Sequence, residues 1–427
     1  MGRVHAEGAF ADRAFHAEAD RARLDHRDRA FAQRLAYGTI QRKRTIEFVL
    51  EGLSSRPFAE IEPSVLDALQ LGVFELVWMD SVPDHAAVDQ TVELVKTATP
   101  RASGFANAVM RRAAREARPR VAELPPHSPI ALSHPDWLAD LWRTVLGDEE
   151  AVALMARDNE PAESAVRANT LRATREEVRA ALLERGVEAT PSTGLPEGLV
   201  VEGAFDAHGS DLFERGLLMP QSRGSMLVAR VLGPQPGERV LDMCAAPGAK
   251  ATHIAALMEA HGALVAVEVS EARARELRDT SLRMGAGIIE VSQADAREPI
   301  AAAGFDRVLL DAPCSDLGTL QSRPDARWRK GPETVAELAA VQRELLEAAA
   351  LQVRRGGVLV YSTCTISPDE NERQVDAFLG NHPELVADDL GAEWPGLAHA
   401  GDHHFLQLLP HRDSTDGFFL ARLRHGG

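Results

Sequence analysis

The stretch Leu241-Asp242-Met243-Cys244-Ala245-Ala246-Pro247-Gly248-Ala249-Lys250 constrains the fold of this chain more than any other. The apolar run from Arg239 to Cys244 reads as a buried strand, and Pro247-Gly248 marks a turn. Thr252, Ile254, Ala255, Leu257 and Met258 then recur at helical spacing. Strand, tight turn and helix in this order bring backbone N–H groups and a helix N-terminus to the carboxyl end of a parallel sheet, where small ligands bind. Gly248 lets a ligand approach the backbone closely. The spacing differs from the Gly-x-Gly-x-x-Gly of dinucleotide sites, which disfavours a hydride-transfer cofactor. On its own the stretch fits an ordinary strand–helix corner equally well.

The chain from about residue 234 onward supports the ligand-binding alternative. Strands are expected at 239–244, 263–269, 288–293, 306–311 and 357–362, with helices near 249–260, 271–284 and 334–353. That alternation predicts a parallel sheet covered on both faces. Phe405 to Leu409 and Gly417 to Leu423 lie close together in sequence and suit an antiparallel hairpin at the end.

The first half reads differently. A chain of 427 residues holds roughly two to four domains. Over residues 1–120, Ile46, Val49, Leu50 and Leu53 keep helical spacing, as do Val88, Val92 and Val95, and Val65 to Val77 suits a buried helix. Pro119, Pro125, Pro126, Pro129 and Pro135 predict a linker. Residues 136–233 mix short helices (Trp137 to Leu146, Arg175 to Glu184) with strands (Ser164 to Asn169, Gly198 to Val201), which suggests a small α+β connecting domain. The expected division is therefore 1–125 helical, 126–233 linker and connector, and 234–427 α/β.

Composition narrows the function. A formal net charge of −17 argues mildly against nucleic acid, since phosphate binding calls for Lys and Arg. Arginine is nevertheless concentrated locally, at Arg101, Arg111, Arg112, Arg115, Arg118 and Arg120 against Glu116. Charge runs are usually solvated helix faces, but this imbalance raises a nucleic-acid contact above background. No apolar run of transmembrane length and no secretory signal is visible. The three cysteines lie far apart, without metal-ligand or disulfide spacing, and free thiols fit a reducing cytoplasm.

Acidic residues recur at strand ends: Glu268 in the second strand, Asp295 after the third and Asp311 at the end of the fourth. A carboxylate at the second position typically binds ribose hydroxyls, and Asp295 is suited to accept from an adenine amino group. Each taken singly could be a helix cap. Together they suggest a nucleoside pocket, and the missing phosphate cradle favours S-adenosylmethionine over a nucleotide. Cys314, in Asp311-Ala312-Pro313-Cys314-Ser315, and Cys364, in Tyr361-Ser362-Thr363-Cys364-Thr365, follow two strands of the same sheet. A lone buried cysteine is usually a small hydrophobe, but parallel strands deliver both of these to one edge. There a thiol with a depressed pKa can act as nucleophile. Carbon 5 of cytosine needs such help, since it becomes nucleophilic only when a thiolate adds at carbon 6 while an acid protonates nitrogen 3. A base must later remove the carbon 5 proton so that the thiol can leave.

These motifs, in this order, resemble the Sun/Fmu group of RNA cytosine-carbon-5 methyltransferases, and Arg323-Pro324-Asp325-Ala326-Arg327-Trp328 matches as well. Ala30 to Gly38, Val82 to Val88 and Gly104 to Arg112 resemble the NusB-like RNA-binding domain. That pairing is similar to the bacterial RsmB type, which acts on small-subunit ribosomal RNA. The resemblance implies a Rossmann-like methyltransferase domain with a mostly parallel sheet, preceded by an all-α NusB-like domain. It implies Cys364 as nucleophile, Cys314 for product release and Asp311 facing the target base. It implies that Cys244, Ala245, Ala246, Pro247, Gly248, Ala249, Lys250, Glu268, Arg273, Asp295 and Asp311 bind S-adenosylmethionine. Arg111, Arg112 and Arg115 are the expected RNA contacts. Neither a metal nor a membrane is expected, and nothing suggests more than a monomer. The chain departs from the family pattern at Glu268, Ala249, Ser222, Thr280 and Ser281, none of which touches the two cysteines or Asp311. A transfer-RNA methyltransferase is the nearest alternative. A DNA methyltransferase would use Cys314 as nucleophile, and a non-catalytic NusB-like assembly factor would show eroded motifs.

Overall fold

The computed structural model describes residues 2–7, 9–203, 205–298, 300 and 304–426. It divides into two units, Met1–Pro161 with Leu320–Arg329, and Ala162–Thr319 with Lys330–Gly427.

The first unit is helical throughout its described residues. Helices Lys43–Leu53, Pro63–Trp78, Asp84–Ala98 and Ser103–Ala122 enclose one apolar core. Ile46, Val49, Leu50 and Leu53 are buried there against Val65, Leu69, Val73 and Phe74. Val88 and Val95 face the same core while Val92 is half-buried, so the spacing read from sequence gives the packed faces.

One expectation needs correction here. Residues 119–135 are exposed in part, as a linker would be, but their last residues pack into the helical unit. The helix runs through Pro119 to Ala122, and Ser133 and His134 are fully buried. Side chains of the unit satisfy the backbone of this proline-rich stretch: Thr45 Oγ1 donates to Ile130 O at 2.6 Å and Asn159 Nδ2 to Leu132 O at 2.7 Å. Helices Asp136–Leu146 and Asp148–Arg157 pack within this unit.

A second surprise is the segment 320–329, which leaves the sheet region in sequence yet packs wholly within the helical unit. Its anchor is Arg327, which has no solvent exposure. The guanidinium donates to the carbonyls of Gln41, Ser133, Asp158 and Leu320 at 2.8–3.3 Å and to Asn159 Oδ1 at 2.9 Å. Trp328 Nε1 donates to Ile40 O at 2.7 Å beside it.

The second unit carries two sheets. The smaller is antiparallel, in the order β2-β3-β1-β4, with β1 at Ala165–Ala168, β2 at Ala189–Pro191, β3 at Gly198–Val201 and β4 at Leu218–Pro220. The larger contains β5 (Arg239–Asp242), β6 (Ala263–Glu268), β7 (Ile289–Gln293), β8 (Phe305–Asp311), β9 (Val353–Thr363), β10 (Leu385–Ala387), β11 (Leu406–Leu408) and β12 (Phe418–His425). Its order is β10-β12-β9-β8-β5-β6-β7, with β11 on β12. The strands from β7 to β9 are parallel, while β12 runs antiparallel to β9, β10 and β11. The order reverses between β5 and β8, so a crevice opens at their carboxyl ends. The hairpin of β11 and β12 is where the sequence places it; β10 carries no readable pattern because three residues give no period.

Arg327→Leu should destabilise the helical unit by roughly 3–5 kcal/mol, because four carbonyls and an amide oxygen lose a buried charged donor. A fall in the urea midpoint of the helical circular-dichroism signal measures this, and an unchanged midpoint would show the segment to be merely lodged there.

Candidate active site

The site begins where β5 ends. Asp242 is its last residue, and the chain turns through Met243 to Gly248 into helix Ala249–Leu257. The Ala246–Pro247 peptide bond is cis and Gly248 sits at φ +106°. A Cβ at that position would lie 2.8 Å from Leu277 Cδ1, so both backbone conformation and space require glycine.

Two arginines grip this turn. Arg273 donates to Ala246 O at 2.7 Å and stands 3.6 Å from Glu268 Oε2. Arg167 reaches it from β1, donating to Thr252 Oγ1 at 3.0 Å, to Ala249 O at 3.3 Å and to Gln221 Oε1 at 2.8 Å. Burial lowers the Arg167 pKa to about 9, opposed by Glu197. Sequence reading missed Arg167; an arginine in a short apolar strand was the available signal.

Three carboxylates line the strand ends. Glu268 is nearly buried and accepts from Ser270 N at 2.9 Å, which leaves acceptor capacity for hydroxyls. Asp311 ends β8, with Oδ2 accepting from Lys250 Nζ at 2.7 Å and Oδ1 from Ser362 Oγ at 2.7 Å. Burial alone would lower the Lys250 pKa, but Asp311, with help from Cys364 and Asp242, raises it on balance. Asp242, which the sequence reading left unassigned, is buried with no well-aligned partner on either oxygen. Burial pushes its pKa up to about 7; Asp311 adds to this, and Lys250 and the Cys244 backbone oppose it.

Asp295 follows β7 as expected, but its carboxylate is already engaged. Arg297 donates to it from Nε, from the guanidinium at 2.7 Å and from its backbone N–H at 3.0 Å. Those bonds hold the Asp295 pKa at about 2.

The crevice at the ends of β5, β6 and β8 carries the negative charge of Glu268, Asp311 and the buried Asp242, which suits a ligand with positive charge and ribose hydroxyls. Lys250 and Arg273, the cations described there, are already engaged by Asp311 and Ala246 O, which disfavours a phosphate chain. The sulfonium donor S-adenosylmethionine fits this donor set, and a nucleoside polyphosphate does not.

The thiols lie beside this pocket. β8 and β9 pair in parallel with Asp311 opposite Ser362, so the loops that follow emerge side by side. Cys314 Sγ and Cys364 Sγ are 3.3 Å apart as free thiols. Beneath them Glu370 accepts from Ser315 N at 2.9 Å, from Ser315 Oγ and from Gln342 Nε2 at 3.0 Å, which fixes the Cys314 loop from below. Gly318 N donates to Cys364 O at 2.9 Å. Cys364 Sγ donates to Asp316 Oδ1 at 3.2 Å. Cys244 is different: burial, with Asp242, Asp311 and Glu268 nearby, drives its thiol pKa far upward and keeps it neutral. Among the described residues Cys314, Asp316 and Cys364 form one group of possible metal ligands, and Asp402, His403 and His404 another.

The three arginines expected to contact RNA all lie on helix Ser103–Ala122 of the other unit. Their surroundings differ from the sequence picture, because acids from elsewhere in the fold answer part of the cluster. Arg118 pairs with Asp84, Arg101 with Glu62, and both Arg112 and Arg120 with Glu116. Arg112 also donates to Leu53 O at 2.8 Å, which ties it into the helix packing. Arg111 reaches Asn107 Oδ1 and Arg115 reaches Arg111 O, so these two exposed guanidiniums keep uncompensated charge.

Comparison with known proteins gives three matched regions, the middle one running across the boundary at Pro161. The family model described as 16S rRNA methyltransferase RsmB/F matches residues 229–424, the NusB family model matches 3–115, and an RsmF/B-like ferredoxin-like domain matches 134–208. The ribosomal RNA small subunit methyltransferase B of Thermus thermophilus is 36% identical over 93% of this chain and 89% of its own length. The solved structure of PH0851 superposes with a TM-score of 0.80 at 31% identity, covering 91% of this chain and 88% of its own. NSun6 from Pyrococcus horikoshii with SFG gives 0.63 at 28% identity, covering 69% of this chain and 98% of its own.

The raised Asp242 pKa has a measurable consequence. An aspartate in the unfolded chain ionises near pH 4, whereas this one ionises near 7 in the fold. Its contribution is complete below about pH 4 and is lost as pH rises through about 7. Asp242→Asn should therefore match the parent in acid and become progressively more stable than it up to neutrality, by an order of 4 kcal/mol, with no further gain above. Melting temperatures of both proteins from pH 5 to 8.5 test this; a difference independent of pH would show that Asp242 is ionised throughout.

Proposed function

Because the chain belongs to the RsmB family of 16S ribosomal RNA methyltransferases, we propose that it transfers a methyl group from S-adenosylmethionine to carbon 5 of one cytosine in small-subunit ribosomal RNA. The observation that carries this reading is the pair of thiols 3.3 Å apart next to Asp311 and Lys250. Methylation at carbon 5 needs one group to attack carbon 6 and another to remove a proton, and two adjacent sulfurs supply both.

S-adenosylmethionine is held by the turn Cys244 to Lys250, with Glu268 on the ribose, Asp295 near the adenine and Arg273 bracing the turn. When bound it supplies a methyl group on a positively charged sulfur, which the activated carbon 5 takes. The remaining steps belong to the chain. Cys364 adds to carbon 6, and the carbon 5–carbon 6 electron pair shifts toward nitrogen 3. Asp311, with its oxygens oriented by Lys250 and Ser362, meets the nitrogen 3 edge of the base and holds the proton there. Cys314, as a thiolate after losing its own proton to water, then takes the proton from carbon 5, the double bond re-forms and Cys364 leaves. Arg111 and Arg115 hold the RNA on the helical unit. The local excess of arginine there answers the objection raised by the acidic total, because phosphates respond to nearby charge over roughly 10 Å rather than to net charge.

Radiolabelled methyl transfer to naked small-subunit RNA, transfer RNA and DNA tests the substrate, and label on transfer RNA alone would overturn it. Bisulfite sequencing of the labelled RNA identifies the ring position.

The two thiols are separable. Cys364→Ala should neither methylate nor form a covalent adduct. Cys314→Ala should attack and methylate once, then remain joined to RNA as a slow band in a denaturing gel. The opposite pattern would assign the attack to Cys314.

Replacing both Arg111 and Arg115 with Glu should weaken RNA binding and flatten the dependence of log K on log salt by about one or two units, leaving cofactor affinity unchanged. An unaltered salt slope would reduce the face to solvated charge.

A further inference from the structure

We propose that Asp316 is the proton carrier of Cys364, an inference that rests on the covalent mechanism above. The carboxylate oxygen Oδ1 lies 3.2 Å from Cys364 Sγ and accepts the thiol proton. Its placement is built into the loop. Asp316 is a non-glycine residue at φ +62°, a conformation that most side chains avoid and aspartate tolerates. Thr319 locks it there, its N–H and its hydroxyl both donating to Asp316 O, at 3.0 and 2.9 Å. The next turn of the loop is pinned to the nucleophile itself, by Gly318 N donating to Cys364 O at 2.9 Å. A Cβ on Gly318 would stand 2.3 Å from Gly417 O and 2.9 Å from Cys364 O, so the loop cannot move away without losing this packing.

The other charged or titratable groups near the sulfur are suited to different tasks. Lys250, which interacts electrostatically with Cys364, is a donor only and favours the thiolate once formed. Both oxygens of Asp311 are engaged by Lys250 and Ser362. Glu370 is buried under the Cys314 loop among its own donors. Cys314 is itself a thiol in the free form, and handing it the proton would only exchange one sulfur–hydrogen bond for another. Asp316 is the carboxylate that touches the reacting sulfur.

A thiol is a much weaker acid than a carboxylic acid, so complete transfer to the carboxylate before attack is uphill. The transfer therefore accompanies bond formation. As Sγ bonds to carbon 6, the thiol proton passes to Asp316 Oδ1 and the ring electron pair moves toward nitrogen 3, which takes a proton from water. After methyl transfer, Cys314, as a thiolate that has given its own proton to water, removes the carbon 5 proton, the carbon 6–sulfur bond breaks, and the departing thiolate recovers its proton from Asp316. Nitrogen 3 gives up its proton as the ring regains its original form. Asp316 ends as it began, and the net proton released is the one from carbon 5.

The resting thiol gives an opposite signature. An ionised carboxylate beside a thiol disfavours the thiolate, so removing the charge should leave simple alkylation no slower while attack on RNA slows. The test uses the full-length enzyme with small-subunit RNA transcribed with 5-fluorocytidine, in which fluorine replaces the carbon 5 proton and traps the adduct. Asp316→Asn keeps the shape and tolerates the backbone conformation, and Asp316→Gly relieves it. Both should form adduct about 100-fold more slowly or worse at pH 7, within the usual range for loss of a general base. Their rates should climb about tenfold per pH unit toward the thiol pKa, with iodoacetamide alkylation of Cys364 undiminished and cofactor affinity by calorimetry retained. Adduct formation within threefold of the parent at pH 7 in both variants overturns the proposal. A parent enzyme that forms no adduct overturns the covalent mechanism itself, and the proton carrier with it.

Discussion

The parallel pairing of β8 with β9 sets the geometry on which the site depends. Asp311 stands opposite Ser362, and the hydrogen bond from Ser362 to Asp311 crosses between the two strand ends. Each strand then continues for a few residues into a loop that carries a thiol. A slip of one residue in this pairing would turn alternate side chains to the other face of the sheet. The apolar residues on both faces, including Leu309 and Val360 on one and Leu310 and Tyr361 on the other, prevent it. Hydrophobic burial distributed over the whole sheet thus fixes a sulfur–sulfur distance at one edge. No local interaction between the thiols could do this, since a hydrogen bond between two S–H groups is weak.

Charge is arranged around this edge with equal economy. Three carboxylates, Asp242, Glu268 and Asp311, converge on the pocket, and Lys250 is the cation among them. Lys250 is shared between Asp311 and the neighbourhood of Cys364, so one ammonium both orients a carboxylate and favours a thiolate. The same low-dielectric surroundings that raise the Asp242 pKa strengthen these pairings. The acidity of the pocket and the arginine excess on helix Ser103–Ala122 are separate features that the net charge of −17 averages away.

Much of this was legible in the sequence because it is encoded locally. The turn at Pro247-Gly248, the five parallel strands, the terminal hairpin and the positions of Cys314 and Cys364 after strand ends all follow from period, turn chemistry and order along the chain. What escaped depends on contacts between distant residues. The proline-rich stretch before residue 136 reads as a linker because proline breaks helices; its end packs into the helical unit because Thr45 and Asn159, far away in sequence, satisfy the carbonyls of Ile130 and Leu132. Arg327 stands out in the sequence only as part of a matching motif, with nothing to show that it is buried among the carbonyls of Gln41, Ser133, Asp158 and Leu320. The arginine cluster looked opposed by Glu116 alone, whereas Glu62 and Asp84 arrive from other helices. Asp316 carries no signal of its own in the sequence, and only the fold, which sets its Oδ1 3.2 Å from Cys364 Sγ, gives it a sulfur to face.

The turn that holds Ala246 to Ala249 shows why such long-range contacts accumulate at this edge. Buried polar atoms in folded proteins almost always find partners, and exceptions call for a cause. Two exceptions flank this turn: both oxygens of Asp242 on one side and one guanidinium nitrogen of Arg167 on the other. They differ in kind. Arg167 makes bonds to Gln221, Ala249 and Thr252, and its charge is balanced by Glu197, itself bonded to His253 and Arg230. That network is nearly closed: one guanidinium nitrogen of Arg167 and Nδ1 of His253 are its unpartnered buried atoms. Asp242 has no such network. Its nearest balancing cation is Lys250, which is already committed to Asp311, and burial answers by raising its pKa instead. A carboxylate left in this condition at the mouth of a strand is stabilised by any cation that enters the pocket, so the fold carries an electrostatic deficit that a positively charged ligand removes.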